Sequence, residues 1–114
     1  MSKRSSELLI DDILESLEKI SRYTAGMTKE QFLADEKTID AVTRNLEIIG
    51  EAAHKLPEDF KKKHSHVEWK NIVGLRNRIV HAYFGIDTDI IWQIIEKDLD
   101  SFLSALKEAR INMQ

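Results

Sequence analysis

Five side chains that can handle phosphate and protons lie between Gly74 and Gly85: Arg76, Asn77, Arg78, His81 and Tyr83. Each type has a use in cleaving a phosphodiester without a metal. Histidine changes charge near neutral pH, so it can take the proton of a 2′-hydroxyl or give one to a leaving oxygen. Arginine stays charged and offers a planar fork that matches phosphate oxygens, which suits the charge that builds on phosphorus in the transition state. Asparagine can orient either group by hydrogen bonding. The plainer alternative is a structural or surface histidine near a helix end, with the tyrosine at the edge of the core.

Spacing constrains how these residues can meet. The apolar pattern predicts a helix from Ile72 to Tyr83, interrupted on its approach only by Gly74 and stopped by Gly85. On an ideal helix Asn77 and His81 share one face, and Arg76 and Tyr83 share another. Arg76 and His81, five apart, then diverge by roughly 140°. Two arrangements stay open. The arginine curls round the helix, or two copies of it meet across a two-fold axis and bring two histidines and two arginines into one cleft.

The elements that must hold this segment read as helices. Ser5 and Ser6 offer caps before Leu9, Ile13, Leu17 and Ile20, which recur at helical spacing to about Arg22. Thr28 and Gln31 form a capping-box pattern ahead of a short helix with Phe32 and Leu33. After Asp35, the residues Ile39, Val42, Leu46, Ile49, Ala53 and Leu56 step by three and four until Pro57, which opens a short helical turn through Phe60. Lys61 to His66 reads as a loop. Asp87 caps the last helix, where Ile91, Ile95, Leu99, Phe102, Leu106 and Ala109 keep the same rhythm. No strand pattern competes. The expectation is an all-α, up-and-down bundle of four to five helices in one domain, residues 1–114. Ile48 and Ala52 on one helix, and Ile90, Trp92 and Ile94 on another, widen the apolar faces beyond one stripe. That surplus suits a homodimer interface.

Composition excludes several chemistries. With 42% apolar and 32% charged residues among 114, the chain has an ordinary globular balance. It has no cysteine, which removes disulfides, thiolate metal sites and cysteine nucleophiles. That absence favours a reducing, cytoplasmic setting. The opening residues lack the apolar run of a signal peptide, and no stretch is long enough to span a membrane. A net charge of −3 argues against a broad nucleic-acid footprint but allows a site that grips one or two phosphates. There is no glycine-rich phosphate loop and no paired-aspartate metal site, so no cofactor and no metal are expected.

With these residues in view, the segment resembles a known family. Arg76-x4-His81-x-Tyr83, with Asn77 directly after the arginine, resembles the Arg-x4-His-x-Tyr motif of the HepT toxins in the HEPN superfamily. The approach Trp69-Lys70-Asn71-Ile72-Val73-Gly74-Leu75 and the exit Tyr83-Phe84-Gly85-Ile86-Asp87 are similar as well. So is the stretch from Arg44 to Ala53 in the long helix. The resemblance implies an all-α homodimer and a toxin of the MntA–HepT, type VII, toxin–antitoxin kind that cleaves mRNA or tRNA without metal. It implies that Arg76 and His81 are catalytic with Asn77 assisting. It also implies a nucleotidyltransferase partner of the MntA kind that silences the toxin by transferring AMP to Tyr83. A phosphate on Tyr83 would then compete for Arg76, given a shared helical stripe. The competing reading is a HEPN-like module that binds nucleotide or the nucleotidyltransferase and cleaves nothing.

Other residues carry weaker signals. Arg78 and Glu51 are candidates for RNA contact or for supporting the motif, Glu51 by facing its helix and pairing with Arg76 or Arg78. Lys61, Lys62, Lys63, His64 and His66 read as a solvated loop, with an RNA-backbone contact as the sharper option. His54 reads as partly exposed, late in the long helix. Trp69 and Trp92 read as core.

Overall fold

The coordinates are a computed structural model, in which residues 4–81 and 85–113 are described. Helix α1 spans Ser6–Thr24, and the Ser5 hydroxyl accepts the Leu8 N–H at 3.2 Å. Its stripe of Leu9, Ile13, Leu17 and Ile20 is buried. The chain turns at Gly26, whose φ of 76° lies where a side chain is strained. The Thr28 hydroxyl then accepts from Gln31 N–H, and the Gln31 side chain accepts from Thr28 N–H. This reciprocal cap starts α2 (Lys29–Leu33), which buries Phe32. Asp35 caps α3 (Glu36–Lys55) by accepting from the Thr38 N–H and hydroxyl. Those bonds to Thr38 hold the Asp35 carboxyl below its ordinary pKa.

The helical turn expected after Pro57 runs past Phe60 into the stretch expected to be a loop. Helix α4 runs Glu58–Lys63, with acids in its first turn and three lysines in its last. Both ends suit the helix dipole, which a reading of the lysines as a solvated basic run leaves out. His64 is buried rather than solvated. Its ring packs 4.5 Å from Phe60, and its carbonyl accepts from the Trp69 indole N–H at 3.0 Å. Trp69 is core, as its sequence context suggests.

The motif segment departs most from expectation. Helix α5 (Trp69–Val73) stops at Gly74, and α6 covers only Leu75–Ile79. Val80 is extended, with φ −108° and ψ 123°. A two-residue strand, β1 (Val80–His81), pairs antiparallel with β2 (Gly85–Ile86), setting Val80 opposite Ile86 and His81 opposite Gly85. The continuous helix to Tyr83 is therefore corrected, and so is the expectation of no strand. Ile79 and Val80 are β-branched and favour extended backbone. Gly85 supplies a φ of 76°. The Ile79 carbonyl is taken by the Asp87 N–H at 2.7 Å, so it need not wait for a further helical turn.

Asp87 caps α7 (Thr88–Gln93) through the Ile90 N–H. A π-helical turn, Ile94–Asp98, follows, and then α8 (Leu99–Ile111). Within that turn Ile94 is buried to 1% exposure while Ile95 is only half-buried, the reverse of the sequence reading. The step of five from Ile94 to Leu99 is the extra residue of the π turn. Helix α1 packs on α3 and α8, α5 and α6 lie against α3, and α7 contacts α2 and α6. Buried side chains from Leu9 to Ala109 form one cluster. Among the described residues no helix is long and apolar enough to cross a membrane.

Two outcomes test this packing. Gly50 is buried where α3 meets the junction of α5 and α6, and a Cβ there would lie 3.6 Å from the carbonyl oxygens of Ile72 and Val73. Gly50→Ala should fit, and should match or exceed wild-type stability by up to about 1 kcal/mol through helix propensity. Gly50→Leu should cost about 1–3 kcal/mol through overpacking. Urea unfolding separates the two. Burial, then the charges of His66 and Lys63, push the His64 pKa down. The unfolded chain therefore binds the proton more readily. The resulting stability is complete above the ordinary histidine value of about 6.5 and is lost as pH falls through it toward the folded pKa. His64→Gln should flatten this slope in unfolding measured between about pH 7.5 and 5.5, and an unchanged slope would rule His64 out as its source.

Candidate active site

Arg76 and Asn77 are exposed on α6, while Leu75 and Ile79 are its buried residues. Short as α6 is, it lies close against α3 at Gly50, where an added Cβ would stand 3.6 Å from the Ile72 and Val73 carbonyls and 3.9 Å from the Arg76 nitrogen. The result is an open cleft of roughly 480 Å³, lined by Glu47, Gly50, Glu51 and His54 from α3, Val73 from α5, and Arg76 and Asn77 from α6. On α3 these residues are three and four apart, so they share one face.

The cleft is mixed in charge, with one guanidinium facing two carboxylates. Glu51 and Arg76 do share it, as the sequence reading allowed, but the ion pair that Glu51 makes is with Lys55, at 3.4 Å. Among the described residues no acid pairs with Arg76. Arg78 behaves differently. Two residues on from Arg76, it points to the other side of α6, and its guanidinium meets Asp98 at 3.2 Å. Asp98 belongs to the π turn, so this pair ties α6 to the last helical stretch. Both partners are partly exposed, which limits the pair to about 0–1 kcal/mol. Its role here is to fix direction.

His81 leaves the helix altogether. Its backbone lies in β1, and the helical phase relation between it and Asn77 or Arg76 does not hold. Tyr83 lies outside the described residues, and the single helical stripe expected to join it to Arg76 ends at Ile79. The arrangement that the structure brings together is thus Arg76, Asn77, Glu47, Glu51 and His54. The last is an exposed histidine that the motif reading passed over. Its spacing from Glu47 and Glu51 on one helix was the available signal, but nothing in the sequence says that this face looks at Arg76.

The other histidines are committed elsewhere. His64 is buried, and His66 Nε2 lies 3.2 Å from the Ala105 carbonyl and 3.8 Å from Glu108. No group of three or more metal-ligating side chains occurs among the described residues.

The chain matches a protein-family profile described as "Ribonuclease HepT-like" over residues 13–109. It is 39% identical over 108 residues to a protein named "Probable ribonuclease HepT" from Thermococcus cleftensis, covering 95% of this chain and 98% of that relative. Two proteins of Methanocaldococcus jannaschii, each named a "Putative RNase", are similar as well. One is 42% identical over 108 residues, covering 95% of this chain and 89% of the relative. The other is 41% identical over 99 residues, covering 87% and 91%. No solved structure matches. A profile that takes in both the long helix α3 and the Arg76 segment, joined to relatives aligned across nearly their full length, places this chain in the HepT-like ribonuclease family.

Proposed function

We propose that this protein is a metal-independent endoribonuclease and the toxin of a type VII, MntA–HepT, toxin–antitoxin pair, acting in the cytosol as a single-domain homodimer. The observation that carries the reading is Arg76, an exposed guanidinium in an open cleft without an acid partner among the described residues, in a chain of a ribonuclease family. A buried or acid-paired arginine is a structural tie; one held open beside Asn77 is ready for a phosphate.

In this reading His81 takes the proton of an RNA 2′-hydroxyl. The oxygen attacks phosphorus, and Arg76 stabilises the charge that develops on the phosphoryl oxygens. Asn77 steadies the arginine or the phosphate. The exposed apolar side chains Val80 and Ile86, paired across the ribbon that carries His81, suit a two-fold contact at this end of the bundle. Tyr83 is the acceptor of AMP from a nucleotidyltransferase partner. AMP beside the motif adds a negative charge and bulk where an RNA phosphate must enter.

The test is RNA cleavage by purified protein in the presence of a metal chelator. Arg76→Ala and His81→Ala should each lower the rate by about 10²–10⁴-fold, with Asn77→Ala falling less. Growth arrest by His81→Ala equal to that of wild type would reject the assignment and favour a binding module. Sedimentation at micromolar concentration should give a dimer. Tyr83→Phe should stay toxic and resist the partner; enzymatic silencing of that variant would remove Tyr83 as the acceptor.

A further inference from the structure

Cleavage by a 2′-hydroxyl moves two protons: one leaves the attacking oxygen, and one must reach the departing 5′-oxygen. The reading above names His81 for the first and no residue for the second, for which a homodimer also offers the second copy's His81. We propose that His54 is that donor, the general acid of the same reaction, which makes this inference rest on the ribonuclease reading.

His54 is exposed on α3 and lines the cleft that holds Arg76 and Asn77. Among the described residues its imidazole makes no hydrogen bond or ion pair, in contrast with the buried ring of His64 and with His66 against Ala105. An unengaged imidazole thus lines the same open cleft as a guanidinium without an acid partner among the described residues. That leaves room between protein groups for a scissile phosphate and its neighbouring sugars, which phosphoryl transfer with proton donation requires.

His54 also borders a second cleft, with Lys61 of α4 and Lys70 of α5, and a third, with Arg4 and Lys55. Both clefts therefore carry basic side chains beside His54. Arg4 is paired with Asp12, Lys55 with Glu51 and Lys61 with Glu58, which among the described residues leaves Lys70 open to a phosphate flanking the scissile one. The charged groups that share these clefts with His54 are Glu47, Glu51 and Lys55 from α3 and Glu58 and Lys61 from α4. Lys70 from α5, Arg76 from α6 and Arg4 ahead of α1 complete the set. Glu51 and Glu58 are drawn to Lys55 and Lys61.

The step balances within the chain and its substrate. The 2′-oxygen loses its proton to His81 and bonds to phosphorus. The bond from phosphorus to the 5′-oxygen breaks, and that oxygen takes the proton of the His54 imidazolium. The products are a 2′,3′-cyclic phosphate and a 5′-hydroxyl.

The experiment uses the full chain and two RNA oligonucleotides of one sequence that the wild type cleaves, one normal and one with sulfur in place of the 5′-bridging oxygen. A thiolate leaves without a proton at neutral pH, because thiols are far more acidic than alcohols. His54→Gln should lower kcat on the normal RNA by about a hundredfold or more, leave KM within about threefold, and regain near wild-type rate on the sulfur substrate. Its pH–rate profile should lose the limb that falls with rising pH. His54→Asn, a shorter side chain, should behave alike, and matching unfolding midpoints show that both variants fold. A kcat within about threefold of wild type, a loss confined to KM, or a fall in kcat that sulfur does not restore would overturn the proposal. Failure of the wild type to cleave any RNA would instead bring down the ribonuclease reading, and this inference with it.

Discussion

Everything at the candidate site depends on how closely α3 approaches the break between α5 and α6. Gly50 sits in the middle of α3, and the carbonyls of Ile72 and Val73 leave room there for a Cβ and nothing larger. Helices that meet through larger residues stand 8–10 Å apart, and a glycine lets them come nearer. Here the nearness decides which side chains face one another. The Glu47–Glu51–His54 face of α3 looks at Arg76 and Asn77, although some 25 residues of chain separate the two groups. Mid-helix glycine costs roughly 0.5–1 kcal/mol relative to alanine, and the burial of Ile49, Ala53 and Ile72 around it offsets that cost.

The second constraint is that helix formation stops at Ile79. Had it continued, Arg76 and His81 would sit on diverging faces of one rod. Instead the chain turns extended at Val80, and the two motif residues stand on different elements. The change of backbone releases them from helical phase. It also explains why Arg78 can serve as a tie to Asp98 while Arg76, two residues earlier, faces open solvent.

Much of this was legible beforehand, for identifiable reasons. The seams of α1 and α3 are long and regular, and every residue read there as core is buried or half-buried. Caps at Ser5, Thr28, Asp35 and Asp87 rest on local hydrogen bonds between neighbours in sequence, so they were readable too. The motif segment was not. Its apolar residues fit a helix as well as a strand over so few positions, and the bond from Asp87 to Ile79 joins residues eight apart. The burial of His64 escaped because the lysines before it dominate the local composition. The α3 side of the cleft escaped because periodicity tells which residues share a face and not what that face meets.

The π turn at Ile94–Asp98 has an outcome for how the chain tolerates change. Helix α7 must serve α2 and α6, where Trp92 lies 5.4 Å from Phe32, and α8 must serve α1. These neighbours lie in different directions, and a regular helix could not keep both contacts with one unbroken stripe. The surplus residue acts as a swivel that re-aims the downstream half by about a quarter turn. Shortening Ile94–Asp98 by one residue would make a more regular rod, yet leave Leu99, Phe102 and Leu106 facing away from α1. Length here, more than residue identity, is what keeps α8 against α1.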